Sequence, residues 1–111
     1  MVRSIRVGLF LLMVMFFTNA SANSSFSITT VTGVIVHSNG NVILVTLADH
    51  VTNAEGCNIN NQMVIEKTHP FFKEMYSALL SAFHSETKIR GWVNGCYLWG
   101  MPILTRLDLT K

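Results

Sequence analysis

The apolar positions fall into two regimes along the chain. Val7 to Phe17 is one apolar run behind Arg3 and Arg6, and it ends in Ala20-Ser21-Ala22. A basic start, a short apolar stretch and an A-x-A site predict a secretory signal peptide over residues 1–22, cleaved before Asn23. Beyond it the apolar residues come in short clusters. Residues 23–27 are small and polar and read as a flexible start. Ile28 to His37 is rich in Val, Ile and Thr, which predicts a strand, and Gly33 marks a bulge or sharp coil in it. Asn39-Gly40 between two β-rich runs predicts a tight hairpin with positive φ at both positions. Val42 to Ala48 is the second strand, and its run Val42-Ile43-Leu44-Val45 reads as buried on both faces.

Asp49 to Gln62 reads as a loop, and Met63 to Lys67 as a short third strand. Thr68-His69-Pro70 opens a helix, since proline is tolerated in a first helical turn. Phe72, Met75, Tyr76, Leu79 and Phe83 recur at spacings of three and four, one apolar stripe on a helix ending near Ser85. In Lys88 to Asn94, Ile89, Gly91 and Val93 alternate with Arg90, Trp92 and Asn94, a fourth strand running into Gly95-Cys96. Tyr97 to Pro102 is a loop. Ile103 to Leu109 is the fifth strand, with Ile103, Thr105, Leu107 and Leu109 on one face. The order β-β-β-α-β-β predicts a mainly β fold with one helix, an OB-fold-like five-stranded barrel whose end the helix plugs. A split α+β sandwich is the alternative.

Composition then changes meaning. The chain has 111 residues, half of them hydrophobic, and a net charge of +2. Without residues 1–22 there remain 89 residues in one domain, 23–111, with six basic side chains against six acidic ones. A neutral chain lacks the basic excess that phosphate backbones require, so nucleic acid is not the expected partner. No apolar run past the leader approaches the roughly 18 residues of a membrane span. Export places Cys57 and Cys96 in an oxidising compartment, where the one possible pairing becomes a disulfide.

The reactive side chains do not form a site. His37, His50, His69 and His84 make no H-x-H or H-E-x-x-H pattern, and His69 and His84 fall at the two ends of the helix. The serines lack G-x-S-x-G context and the glycines form no phosphate loop. Asp49, His50 and His69 are the only constellation an enzyme would draw on, and their spacing asks for none. The expectation is a protein without catalytic activity, metal or cofactor. Trp92, Tyr97 and Trp99 are the candidate binding residues, because the loop between strands four and five borders the ligand face of an OB-fold. Aromatics there stack on sugar rings or anchor a protein partner. Trp99, mid-loop between Leu98 and Gly100, leads among them. The alternative for all three is ordinary packing.

Several stretches resemble a known family. Thr32-Gly33-Val34-Ile35-Val36 and the aromatic, Leu-bearing segment Phe71 to Phe83 are similar to the opening strand and helix of bacterial A-B-pentamer toxin binding subunits, the subtilase cytotoxin B subunit in particular. Ser85-Glu86-Thr87-Lys88-Ile89 looks like the turn after that helix in enterotoxin-type subunits. Gly56-Cys57, Phe72 to Tyr76 and Gly95-Cys96-Tyr97 resemble stretches of small secreted bacterial proteins. The resemblance covers most of residues 23–111, chiefly as element order. It implies an OB-fold, a Gram-negative host with a periplasmic or extracellular location, and a glycan or protein ligand. The alternative to a binding module is a homo-oligomeric subunit of a toxin-like or envelope assembly, since exposed edges of strands one and five invite pairing between copies. No sugar-binding residue of those subunits has a local match here.

Overall fold

A computed structural model describes residues 23–111. The predicted leader and its cleavage point therefore lie outside the described residues. The elements are β1 (Ser24–His37), β2 (Val42–Leu47), β3 (Gln62–Glu66), α1 (Phe72–Ser85), β4 (Lys88–Cys96) and β5 (Pro102–Thr110). The fold is mainly β with one helix, in the predicted order. The strands close into a barrel in the order β1-β2-β3-β5-β4. Closure depends on the length of β1. Its first half pairs antiparallel with β4, from Ser24 opposite Val93 to Thr30 opposite Lys88. Its second half pairs with β2, from Val31 opposite Leu47 to His37 opposite Val42. One strand thus belongs to both sides of the barrel and leaves no gap there.

The register between Val31 and Gly33 skips Thr32, which is the irregularity that Gly33 predicts. The polar start is not a flexible tail. Ser24, Ser25 and Phe26 pair with Val93, Trp92 and Gly91, and the Phe26 ring is buried in the core. The hairpin also departs from expectation. Positive φ falls on Gly40 (91°) and Asn41 (55°), not on Asn39, and the Asn41 N–H donates to the Ser38 carbonyl. That sign pattern suits a type II turn, where only the third residue needs positive φ.

In β2 and β3, Ile43, Val45, Met63 and Ile65 point into the barrel. The intervening Val42, Leu44 and Val64 face outward and are buried as well, with Met101, under Ile59, Tyr97 and Trp99. This second cluster explains the uninterrupted apolar run of β2, which is covered on both faces. The helix starts at Phe72, later than Thr68-His69-Pro70, which form a turn. The Phe71 N–H donates to Nδ1 of His69 at 3.0 Å, so the histidine takes up a backbone group just ahead of the helix. Met75, Leu79 and Ala82 are the buried face. Phe83, placed by spacing in the apolar stripe, is 40% exposed because Ala82 occupies the seat against the barrel.

The predicted face of β5 is corrected too. Trp92 pairs with Arg106 and Val93 with Leu104, so Thr105 is skipped as a bulge. The alternation changes phase there, which turns Leu104 inward and leaves Leu109 40% exposed.

The loop 48–61 joins the end of β2 to the start of the antiparallel β3, and α1 follows the far end of β3, so the two cover opposite ends of the barrel. The loop is held by side chains. Val51 is buried in the core. Asn53 Nδ2 donates to Oδ1 of Asn60, and Asn60 Nδ2 donates to the Cys57 carbonyl. The hydroxyl of Thr29, only 3% exposed, donates to Oδ2 of Asp49 at 3.0 Å. Replacing Thr29 by valine keeps its shape and leaves Asp49 without that donor. We expect a loss of about 1.5 kcal/mol, the scale of a hydrogen bond to a charged group, readable as a lower denaturation midpoint at unchanged slope.

Candidate binding surfaces

The three aromatic candidates do not form one site. Tyr97 and Trp99 lie together. Their rings are 5.2 Å apart, edge to face, and Trp99 lies 5.1 Å from the ring of His37. The Tyr97 hydroxyl donates to the Gly40 carbonyl at 3.4 Å. The loop beneath them is tied down: the Tyr97 N–H donates to Met101 O, Gly100 N–H to Tyr97 O, and Ile59 N–H to Gly100 O. Both rings are half-buried and rest on the outer face of β2 and β3. The exposed side chain of this loop is Leu98, at 80%. Gly40 is required for this contact. A Cβ there would lie 2.7 Å from the Tyr97 hydroxyl and 3.3 Å from the Trp99 ring.

Trp92 stands elsewhere, on the outer face of β4, and 37% of it is exposed. Its position follows from register. Ser25 of β1 and Arg106 of β5 are its cross-strand neighbours, and Arg90 faces Asp108 one step along. Residues two apart on a strand share a face, so Arg90 and Trp92 lie beside Arg106 and Asp108. Together with Ser25 and Ile28 they line a shallow depression of ≈470 Å³. A second hollow of ≈280 Å³, lined by Asn23, Trp92, Thr105 and Arg106, lies on the other side of the indole. The Arg106 Nε donates to Oδ1 of Asp108 at 3.0 Å, and the Thr105 hydroxyl donates to Oδ1 of Asn23 at 2.8 Å. The indole thus forms a ridge between the two hollows, with polar groups of Asn23, Arg90, Thr105, Arg106 and Asp108 around it.

Sequence inspection missed Ser25, Arg90, Arg106 and Asp108 as neighbours of Trp92. The signal was present in part, since Arg90 and Trp92, and Arg106 and Asp108, alternate onto one face of their strands. What joins them is the pairing of three strands, including a β1 start that looked unstructured.

A third hollow, a cleft of ≈380 Å³, lies between the hairpin and the start of α1. Its walls are mainly apolar, from Val36, Phe72 and Tyr76, with His37 and Lys67 also lining it.

Cys57 and Cys96 form a disulfide, with their Cα atoms 5.6 Å apart. Beside it Glu55 grips two strands. Its Oε1 accepts from the Gly95 N–H at 2.6 Å and its Oε2 from the Ser24 hydroxyl at 2.5 Å. Among the described residues no three His, Cys, Asp or Glu side chains are grouped to hold a metal ion, and no helix is long and apolar enough to cross a membrane. No protein-family model, curated protein or solved structure matches the chain.

Proposed function

We propose that residues 23–111 form an exported, non-catalytic binding module of OB-fold type that takes a glycan on the β1–β4–β5 face around Trp92. The observation that carries this reading is the Trp92 ridge with its polar flanks. An indole face stacks on the apolar face of a sugar ring, and adjacent Arg, Asp, Ser and Asn groups supply donors and acceptors for hydroxyls. In this reading Tyr97 and Trp99 pack the outer face of β2 and β3, away from the ligand surface, because their rings already rest on that face. The barrel order and the meeting of the β1–β2 and β4–β5 loops favour the OB-fold assignment.

The test is a glycan array with the oxidised mature chain. Trp92→Ala is expected to abolish the signal, a loss of at least about tenfold in affinity for a stacked aromatic anchor. Trp99→Ala is expected to bind as wild type wherever it remains folded. A blank array, or binding lost with Trp99 and kept without Trp92, would reject the assignment.

A second reading, a homo-oligomeric subunit, is favoured by β1. From Val31 to His37 this strand pairs with β2 and with no other strand among the described residues, and Ile35 and Val36 are 41% and 69% exposed there. A half-paired strand with exposed apolar side chains is a template for pairing between copies. Light scattering showing a monomer at high concentration would remove this reading.

A further inference from the structure

Two Asn-Gly pairs occur in the chain, Asn39-Gly40 and Asn94-Gly95, and the fold treats them oppositely. We propose that Asn39 is a self-modification site that converts to aspartate and isoaspartate through a cyclic imide, and that the fold protects Asn94 from the same reaction.

The chemistry needs no partner but water. The Gly40 nitrogen attacks Cγ of Asn39. The N–Cγ bond forms, the Cγ–Nδ2 bond breaks, and ammonia leaves with the proton from the Gly40 N–H. Water then opens the ring, adding hydroxide to one of its carbonyl carbons and a proton to the nitrogen. Opening at Cγ yields aspartate. Opening at the main-chain carbonyl yields isoaspartate, whose chain runs through the former side chain. No electrons are exchanged.

The requirement is a following nitrogen that is sterically open and free of other bonds. Glycine supplies the first at both places, having no Cβ. Only Gly40 supplies the second. Residues 38–41 are all exposed, and no hydrogen bond of the Gly40 N–H occurs among the described residues. The Gly95 N–H instead donates to Oε1 of Glu55 at 2.6 Å. A short hydrogen bond to a carboxylate is among the strongest a backbone N–H makes, and the adjacent negative charge opposes loss of its proton. Gly95 is further fixed by its neighbour Cys96, which is joined to Cys57. Asn94 is exposed, like Asn39, so both side chains have access to water.

The consequence falls on a packed contact. The Asn39 N–H donates to Nδ1 of His37 at 3.2 Å, and the hairpin meets Tyr97 and Trp99 at Gly40. Conversion adds a negative charge to the residue whose N–H bonds His37, and the isoaspartyl form adds a backbone atom next to Gly40, where Tyr97 and Trp99 touch the turn.

The oxidised mature chain should be aged in mildly alkaline buffer, native and in denaturant, and mapped by peptide mass spectrometry. In denaturant both asparagines are expected to convert at similar rates. In the native chain Asn39 should convert at least about tenfold faster than Asn94, the factor that a hydrogen bond to a charged group implies. Glu55→Ala, with its fold verified by circular dichroism, should raise conversion at Asn94 and leave Asn39 unchanged. Equal native rates, faster loss at Asn94, or a native chain inert at both positions would each overturn the proposal. A folded Glu55→Ala chain with Asn94 still inert would overturn the role given to Glu55. Should that variant not fold, the comparison of native and denatured chains decides alone.

Discussion

Gly91→Ala is expected to abolish cooperative folding or to lower stability by about 3 kcal/mol or more, the upper range for overpacking. The cause is contact with backbone. A Cβ at this position would lie 2.0 Å from the Arg106 carbonyl oxygen, 2.9 Å from its carbon and 3.2 Å from Cα of Leu107. No side chain can rotate to relieve this, so β4 and β5 must part. Gly91 also pairs with Phe26 of β1 and lies between Ile89 and Val93, both fully buried. Moving it disturbs two ladders and the core together. Against the 5–15 kcal/mol typical of a whole domain, that loss is large. Gly56→Ala is the control. A Cβ there meets nothing within 4 Å, and only its φ of 72° opposes alanine, at about 1 kcal/mol. Urea titrations of both variants separate the causes. A Gly91→Ala midpoint close to that of Gly56→Ala would show that the two strands can separate without cost.

Removing the disulfide is expected to have the second large effect. Cys57 and Cys96 are 39 positions apart, and a loop of that size gives about 4 kcal/mol in the chain-entropy model. In an 89-residue domain this is a major fraction of stability. The bond joins the middle of the loop 48–61 to the last residue of β4, and the grip of Glu55 on Gly95 and Ser24 depends on that approach. Titration of the wild-type chain with and without reductant, and of the Cys57→Ala, Cys96→Ala double variant, measures the loss. A difference below about 1 kcal/mol would mean that Glu55, Asn53 and Asn60 hold the loop unaided, at the scale of ordinary hydrogen bonds.

Gly91 also shows where reading a sequence stops. Its place in an alternating strand, on one face with Ile89 and Val93, was legible. Its necessity was not, because the atom it would strike belongs to β5, fifteen positions on. The phase of β5 was misread for a related reason. A single skipped residue, Thr105, inverts which side chains face inward, and that bulge forms only against Trp92 and Val93. Trp92 was legible as sharing a strand face with Arg90 and Asn94. The Arg, Asp and Ser groups beside it come from strands whose register is set by the closed barrel. Trp99 was ranked first from its place in the loop, and the structure shows that loop folded onto an apolar face of β2 and β3.

What the sequence determined by itself is local. Alternation in β4, the three-four spacing of α1, the Gly33 irregularity, the order of elements and the Cys57–Cys96 pairing all follow from the periodicity of a single segment or from simple counting. The tertiary structure decided everything that depends on two segments meeting. It drew Ser24 to Phe26 into a strand, shifted the phase of β5, and placed Trp92 among charges while pressing Tyr97 and Trp99 against the barrel. The physical reason is that side-chain direction along one strand has a fixed period. The neighbour across the sheet depends on register, which closure and bulges set for all five strands at once.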